Sequence, residues 1–300
     1  MLNGVINIYK EKGYTSADVV AKLRGILHQK KIGHTGTLDP EAEGVLPVCL
    51  GYATKLVDHL TDKRKEYICT LRLGVTTDTE DMSGNILSES EVNCSEEELR
   101  AVIKSFEGEY DQVPPMYSAL KLNGRRLYEL AREGVVVERP ARRINIFDTE
   151  IKEINLPRAV FRVECSKGTY IRSLCRDIGE KLKCGGAMEK LLRSRSGEFT
   201  LESALKLSEV EEMARAGEIE SHIVLVEHFY NDCPAAFIRT EDMKYLRNGN
   251  PLPLSYAGEC RDGQLFRVYD DTDKFCAVYK YDEAKGCLKA DTIYSLPVSP

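Results

Sequence analysis

A chain of 300 residues with 42% hydrophobic content can bury a sizeable core in one large domain, or in one large and one small domain. No apolar run approaches the length of a membrane span, and Met1-Leu2-Asn3-Gly4 opens the chain without a basic segment followed by a long apolar one, so a membrane or secreted protein is set aside and the cytoplasm is expected. The net charge of −6 argues at first sight against a nucleic-acid partner, but eight acidic residues and no Lys or Arg lie between Val75 and Leu99, which leaves +2 on the rest of the chain.

In chain order, Ser16 precedes Val20, Leu23 and Leu27, the spacing of one helical face behind a hydroxyl cap. The run Tyr67, Cys69, Leu71 and Leu73 alternates with Ile68, Thr70 and Arg72 and predicts a strand. Ser95 and Glu98 form a capping box ahead of Leu99, Val102, Ile103 and Phe106, with Gly108 as the stop of that helix. Phe161, Val163 and Cys165 predict a second strand, and a helix follows from about Ile171 through Leu174, Ile178 and Leu182 toward Gly185-Gly186. After about Phe229 short β-like runs, Leu265 to Tyr269 and Phe275 to Tyr281, flank the turn at Asp270-Asp271-Thr272-Asp273 and suggest a small β-rich domain. Helices and strands do not alternate regularly. The expected class is α/β in the α+β sense, with an antiparallel or mixed sheet and helices packed on it rather than a doubly wound parallel sheet.

Ten scattered cysteines form no CxxC, and several alternate with polar residues in strand-like runs, so they read as small core residues in a reducing compartment. Basic clusters occur at Lys63-Arg64-Lys65, at Lys121 with Arg125-Arg126, at Arg139 with Arg142-Arg143, and at Lys190 with Arg193 and Arg195. A charge run is usually only a solvated face, so these clusters permit RNA binding without establishing it.

Two segments carry the chemistry. In GHTGTLDPEAEG, Gly33 to Gly44, the glycines allow tight turns and Pro40 pushes Asp39 into an extended conformation, so the loop can project a carboxylate; an Asp-Pro turn beside a helix cap is an equally good reading. In SKGTYIRSL, Ser166 to Leu174, Tyr170 and Arg172 share side-chain parity if the strand continues that far. A guanidinium there could hold a carboxylate bidentately and a phenol could stack on a base, against the plainer reading of a core tyrosine and a surface arginine. The five histidines form no HExxH, the HxE with PCxxC of a zinc deaminase is absent, and neither GxxxxGK[ST] nor a GxGxxG after a strand occurs, so neither a metal nor a nucleotide cofactor is expected.

The segment GHTGTLDPEAEGVLPVCLGYATKL, Gly33 to Leu56, resembles the signature of the bacterial TruB family of tRNA pseudouridine synthases. Further pieces in family-like order are Gly13-Tyr14-Thr15-Ser16, KEYICTLRLGVTTDTEDMSG (Lys65 to Gly84), PPMYSALKLNGRRLYELAREG (Pro114 to Gly134) and SKGTYIRSL, so the resemblance covers roughly residues 1–200. It implies that Asp39 is the essential aspartate, Tyr67 the tyrosine beside the target base, and Arg172 the arginine that pairs with the aspartate. By the same resemblance Tyr170 is a second active-site tyrosine, Leu191 lines the pocket, His34 enters the T loop as the target is extruded, and Lys10 is the lysine of the N-terminal motif. One departure is Glu11, where the family usually has proline.

The implied architecture is a pseudouridine synthase core over residues 1–228, with a basic, RNA-gripping thumb near 117–143, and a small PUA-like RNA-binding domain over 229–300. The implied activity is isomerisation of uridine at position 55 in the T loop of tRNA, by base flipping and an aspartate nucleophile, in a monomer with no cofactor and no obligatory protein partner. Two rival readings stay open: a non-catalytic RNA-binding protein, and a guided synthase that needs protein partners and a guide RNA. A third reading, an unrelated aspartate-dependent hydrolase, is disfavoured.

Overall fold

Strand alternation and capped helical stripes shape the computed structural model, which describes residues 1–122 and 124–295. The chain begins with β1 (Gly4–Lys10), α1 (Ser16–Ile26), β2 (Ile32–His34), β3 (Glu43–Leu50), α2 (Val57–Thr61) and β4 (Lys65–Leu73). A hairpin of β5 (Val75–Thr77) and β6 (Ile86–Glu89) leads to α3 (Glu96–Lys104) and β7 (Gly108–Gln112). Then come β8 (Lys121–Leu122), β9 (Arg125–Arg126), α4 (Leu127–Arg132), β10 (Arg142–Asn155), β11 (Arg158–Cys165), α5 (Ile171–Lys181), β12 (Gly186–Ser196), β13 (Phe199–Thr200) and α6 (Leu207–Ala216). The last stretch holds β14 (Ala235–Phe237), α7 (Met243–Asn248), β15 (Leu252–Pro253), β16 (Leu265–Tyr269), β17 (Phe275–Asp282) and β18 (Cys287–Ile293).

The main sheet has nine strands in the order β1-β3-β12-β4-β11-β10-β7, with β2 on β3 and β13 on β12. Its pairings are antiparallel except for β12 on β3, where Leu192 lies opposite Glu43 and Arg193 opposite Gly44. That parallel seam joins chain segments about 150 residues apart and fixes where the loop between β2 and β3 sits. Strict alternation along β4 buries Lys65, Tyr67, Cys69, Leu71 and Leu73 on one face. Against that face pack α3 and α5 through Leu99, Ile103, Leu174 and Ile178, and each fully buried Leu or Ile contributes about 1.5–3 kcal/mol. On the β1–β3 side, α1 and α6 cover Ile6, Ile8, Leu46 and Leu50.

A second sheet, β14-β16-β17-β18-β15, forms the small β-rich unit. It packs on the first through aromatics: the Tyr230 and Tyr294 hydroxyls are 2.7 Å apart, and Tyr52 meets Tyr294 edge-on at 6.1 Å. Between β7 and β10 the short β8–β9 hairpin and α4 enclose a satellite core of Met116, Leu127 and Leu130. Six of the ten cysteines are buried. No helix among the described residues is long and apolar enough to cross a membrane.

Three local expectations change. The cap of α1 is Thr15, not Ser16: Thr15 and Asp18 form the capping box, while the Ser16 hydroxyl is buried and accepts from the Leu38 backbone N–H at 2.9 Å. α3 stops at Lys104, and Gly108, with a positive φ, opens β7 rather than ending the helix. The strand β11 ends at Cys165, so Tyr170 and Arg172 do not share a strand face; Tyr170 caps α5 and Arg172 lies in its first turn.

Candidate active site

The loop between β2 and β3 carries Asp39 and is docked at both ends. Gly44 has φ near +106°, and a Cβ there would stand 2.3 Å from the Arg193 carbonyl oxygen, so only glycine lets β3 approach β12 at this point. At the start of the loop Thr35 hydrogen-bonds the Pro47 carbonyl through both its N–H and its hydroxyl. Lys10, at the end of β1 and fully buried, donates to the carbonyl of Pro40 at 3.2 Å and to that of Glu11 at 3.2 Å. Glu11 in place of proline therefore leaves the lysine on its loop partner.

Asp39 meets Arg172 in a fork. The arginine Nε lies 3.0 Å from Oδ2 and Nη2 donates to Oδ1 at 3.3 Å. Its other donors meet the carbonyls of Thr79 at 3.1 Å and Tyr117 at 2.8 Å, and Nη1 lies 3.7 Å from Asp81. The Asp39 side chain keeps 37% of its surface accessible, so the carboxylate can be reached from outside while Arg172 holds it. Burial pushes its pKa up, Arg172 pulls it down, Asp81 adds to the rise and Lys10 opposes it. Desolvation also lowers Lys10 to about 8.

Around the carboxylate, Leu38, Ala42, Tyr67 and Leu191 belong to one apolar cluster. Tyr67 is buried on β4 directly across from Arg193 on β12, and desolvation raises its phenol pKa while the Arg193 charge opposes the rise. Tyr170 is half-buried, its backbone N–H held by Gln112 at 2.8 Å, and the Asp39 and Arg172 charges both reach its phenol. His34 ends β2; burial and Arg193 lower its pKa, and its buried Nδ1 has no hydrogen-bond partner. The structure thus brings Asp39, Arg172, Lys10, Tyr67 and Tyr170 near one another, with Leu191 in the apolar cluster beside them, while no contact links His34 directly to Asp39.

Asp81 escaped the sequence reading. It is buried within the acidic stretch, where its Oδ1 accepts from Thr79 Oγ1 at 2.8 Å and Ser83 N–H at 3.0 Å. The adjoining Glu80 adopts a left-handed backbone and binds Ser173 at 2.6 Å and Arg176, which pins this loop to α5. Two residues of the basic clusters are also interior: Arg193 is 1% exposed and Lys65 6% exposed, so neither belongs to a solvated basic face. Strand parity held the signal, since Lys65 shares a face with Tyr67 and Arg193 shares one with Leu191. Among the described residues no group of three His, Cys, Asp or Glu side chains could hold a metal ion.

Two solved structures share this fold over nearly the whole chain. One, a Cbf5-Nop10-Gar1 complex, aligns with a TM-score of 0.71 at 29% identity, covering 97% of this chain and 84% of the other. The other, an H/ACA RNP bound to a substrate RNA containing 2′-deoxyuridine, gives a TM-score of 0.70 at 27% identity with the same coverage. Two family models place the chain in the class of the pseudouridylate synthases. The N-terminal domain of the TruB family pseudouridylate synthases matches residues 24–171, and the tRNA pseudouridylate synthase B C-terminal domain matches residues 172–229. A tRNA pseudouridine synthase B from Lachnoclostridium phytofermentans is 50% identical, over 96% of this chain and 98% of the relative, and one from Bacillus pumilus is 46% identical over 98% of each. The chain belongs to the TruB family of pseudouridylate synthases.

Proposed function

We propose that this protein isomerises the uridine at position 55 in the T loop of tRNA to pseudouridine, with the Asp39 carboxylate as nucleophile. The observation that carries the reading is the Asp39–Arg172 fork, with Asp39 next in sequence to Leu38 of the apolar cluster that holds Tyr67 and Leu191. The reaction breaks N1–C1′ and forms C5–C1′; the C5 proton leaves to water and N1 takes one up, so nothing is gained or lost by the base. An ionised aspartate can start this by attacking the ribose or the base, or by removing a ribose proton. Arg172 favours that ionised form against the cost of burial. Removing a nucleobase from a folded loop requires flipping it out, and the Tyr67 ring is assigned to stack on it with Tyr170 and Leu191 as further walls. His34, with a free buried Nδ1, is the residue assigned to the gap left in the loop.

The segment 117–143 carries seven basic residues against three acidic and is assigned as the thumb that grips the RNA backbone. Residues 1–228 form the catalytic domain in this reading and 229–300 the PUA-like domain. Identity of 46–50% over nearly full length to relatives named tRNA pseudouridine synthase B, against 27–29% to chains of the H/ACA RNP and the Cbf5-Nop10-Gar1 complex, supports tRNA as the substrate, and a stand-alone monomer in the cytoplasm without a cofactor belongs to the same proposal. The test is to incubate the purified protein alone with unmodified tRNA and map pseudouridine. Modification confined to the T loop is expected; no modification without a guide RNA or added proteins contradicts the proposal.

A further inference from the structure

Arg193 is among the largest fully buried side chains of the protein, and among the described residues no carboxylate lies within salt-bridge distance of its guanidinium. A buried guanidinium without a counter-charge costs several kcal/mol, and an apolar side chain of similar volume fills the same space at less cost. Its neighbours add to that cost, because Lys10, Lys65 and His34 crowd the same region and each is lowered in pKa with Arg193 as a contributor. Packing alone therefore gives no reason for an arginine here.

Its contacts supply one. Nε donates to the Val45 carbonyl at 2.6 Å, just past the returning end of the Asp39 loop. Nη1 lies 3.6 Å from the point a Cβ on Gly36 would occupy, at the outgoing leg of the same loop. Directly across the strand pair stands Tyr67, whose phenol feels the Arg193 charge. Nη2 is buried and has no partner. One side chain thus hydrogen-bonds one leg of the loop that bears Asp39, lies near the other, and stands across from the ring that is to meet the base.

We propose that Arg193 is a positioning residue for the isomerisation: it braces the loop of residues 34–45 on β12 and, through Nη2, orients the Tyr67 hydroxyl in the RNA complex. The inference rests on the reading of Tyr67 and Asp39 given above. It predicts that Arg193 acts through Tyr67 and on the chemical step, with little part in RNA affinity.

The test uses the full chain with Arg193→Met, Arg193→Lys, Tyr67→Phe and the two double variants. Thermal melting, filter retention of a T-arm hairpin, and single-turnover tritium release from uridine C5 at saturating enzyme are measured on each. Arg193→Met is expected to bind RNA with full stoichiometry within about threefold of wild-type affinity and to react about 100-fold more slowly, the loss from one charged hydrogen-bonded contact. Lysine keeps the charge and one donor, and is expected to recover about tenfold of that. Arg193→Met with Tyr67→Phe is expected to lose no more than the worse single variant, since coupled residues are non-additive. A rate within twofold of wild type for Arg193→Met, an affinity that falls as far as the rate, or losses that multiply in the double variant each overturn the proposal. If Arg193→Met fails to fold, the Arg193→Lys and Tyr67→Phe cycle gives the same decision. Absence of tritium release from the wild type would instead strike the proposed function itself.

Discussion

Arg172 holds Asp39 by two parallel contacts, Nε to Oδ2 at 3.0 Å and Nη2 to Oδ1 at 3.3 Å, while Thr79 and Tyr117 carbonyls fix the back of the same guanidinium. The carboxylate is therefore oriented by a group that cannot itself rotate freely.

Arg172→Lys keeps the charge and removes the fork. A lysine can reach one carboxylate oxygen or one carbonyl, so at least one buried acceptor is left without its donor, at about 1–3 kcal/mol. Turnover is expected to fall about 10- to 100-fold with RNA affinity nearly unchanged. Steady-state rates alongside filter binding check this, and wild-type turnover in the lysine variant would rule out the fork as a contributor.

Burial raises the Asp39 pKa above 3.8, and the protonated, inactive carboxyl accumulates as pH falls through the raised value. The acid limb of the single-turnover rate is expected at a higher pH than an exposed aspartate gives. Arg172 lowers this pKa, so Arg172→Lys, with its looser contact, is expected to move the limb upward. A limb at or below 3.8, or a downward shift in the variant, contradicts this account.

Gly44→Ala tests the docking of the loop. The added Cβ meets the Arg193 carbonyl at 2.3 Å and the backbone φ is positive, whereas Gly13, also at positive φ, has nothing within 4 Å of its added Cβ. Backbone strain costs about 1–3 kcal/mol in both, and only Gly44→Ala also forces β3 from β12. Calorimetry is expected to show Tm lower by about 5 °C or more for Gly44→Ala than for Gly13→Ala, with activity lost only in the former. Equal Tm values would mean that the parallel seam yields to the extra methyl.

Much of the site was legible because the residues that make it lie in short motifs. Asp39 sits in the Gly33–Gly44 loop and Arg172 in SKGTYIRSL, and the structure brings them into contact across 133 residues of sequence. The route differed from the strand expected, since Gly168 turns the chain and α5 begins at Ile171, so the arginine reaches Asp39 from a helix. Asp81 could not be read, because a buried carboxylate in a stretch with eight acidic residues and no basic one looks like solvated charge until its partner is placed. Lys65 and Arg193 were misjudged for another reason. Charge density sets them among basic clusters, whereas strand parity puts each on the same face as a residue expected in the site.

A hairpin with only the T stem and loop is expected to be modified at a rate within about tenfold of whole tRNA, because RNA readout favours splayed loop bases over helical edges. Single-turnover rates on the two substrates decide it. Reaction on tRNA with none on the hairpin would shift recognition to contacts outside the T arm, with the unit of residues 229–300 the first place to look.

One carboxylate is expected to perform the chemistry while many dispersed contacts hold the RNA, and Asp39→Asn separates the two. The substitution preserves size and hydrogen-bonding reach and removes the anion. With tRNA tritiated at uridine C5, the wild type is expected to release tritium to water and Asp39→Asn to release none above the blank, while filter retention gives both proteins affinities within about threefold. Substantial tritium release by pure Asp39→Asn protein would contradict the account.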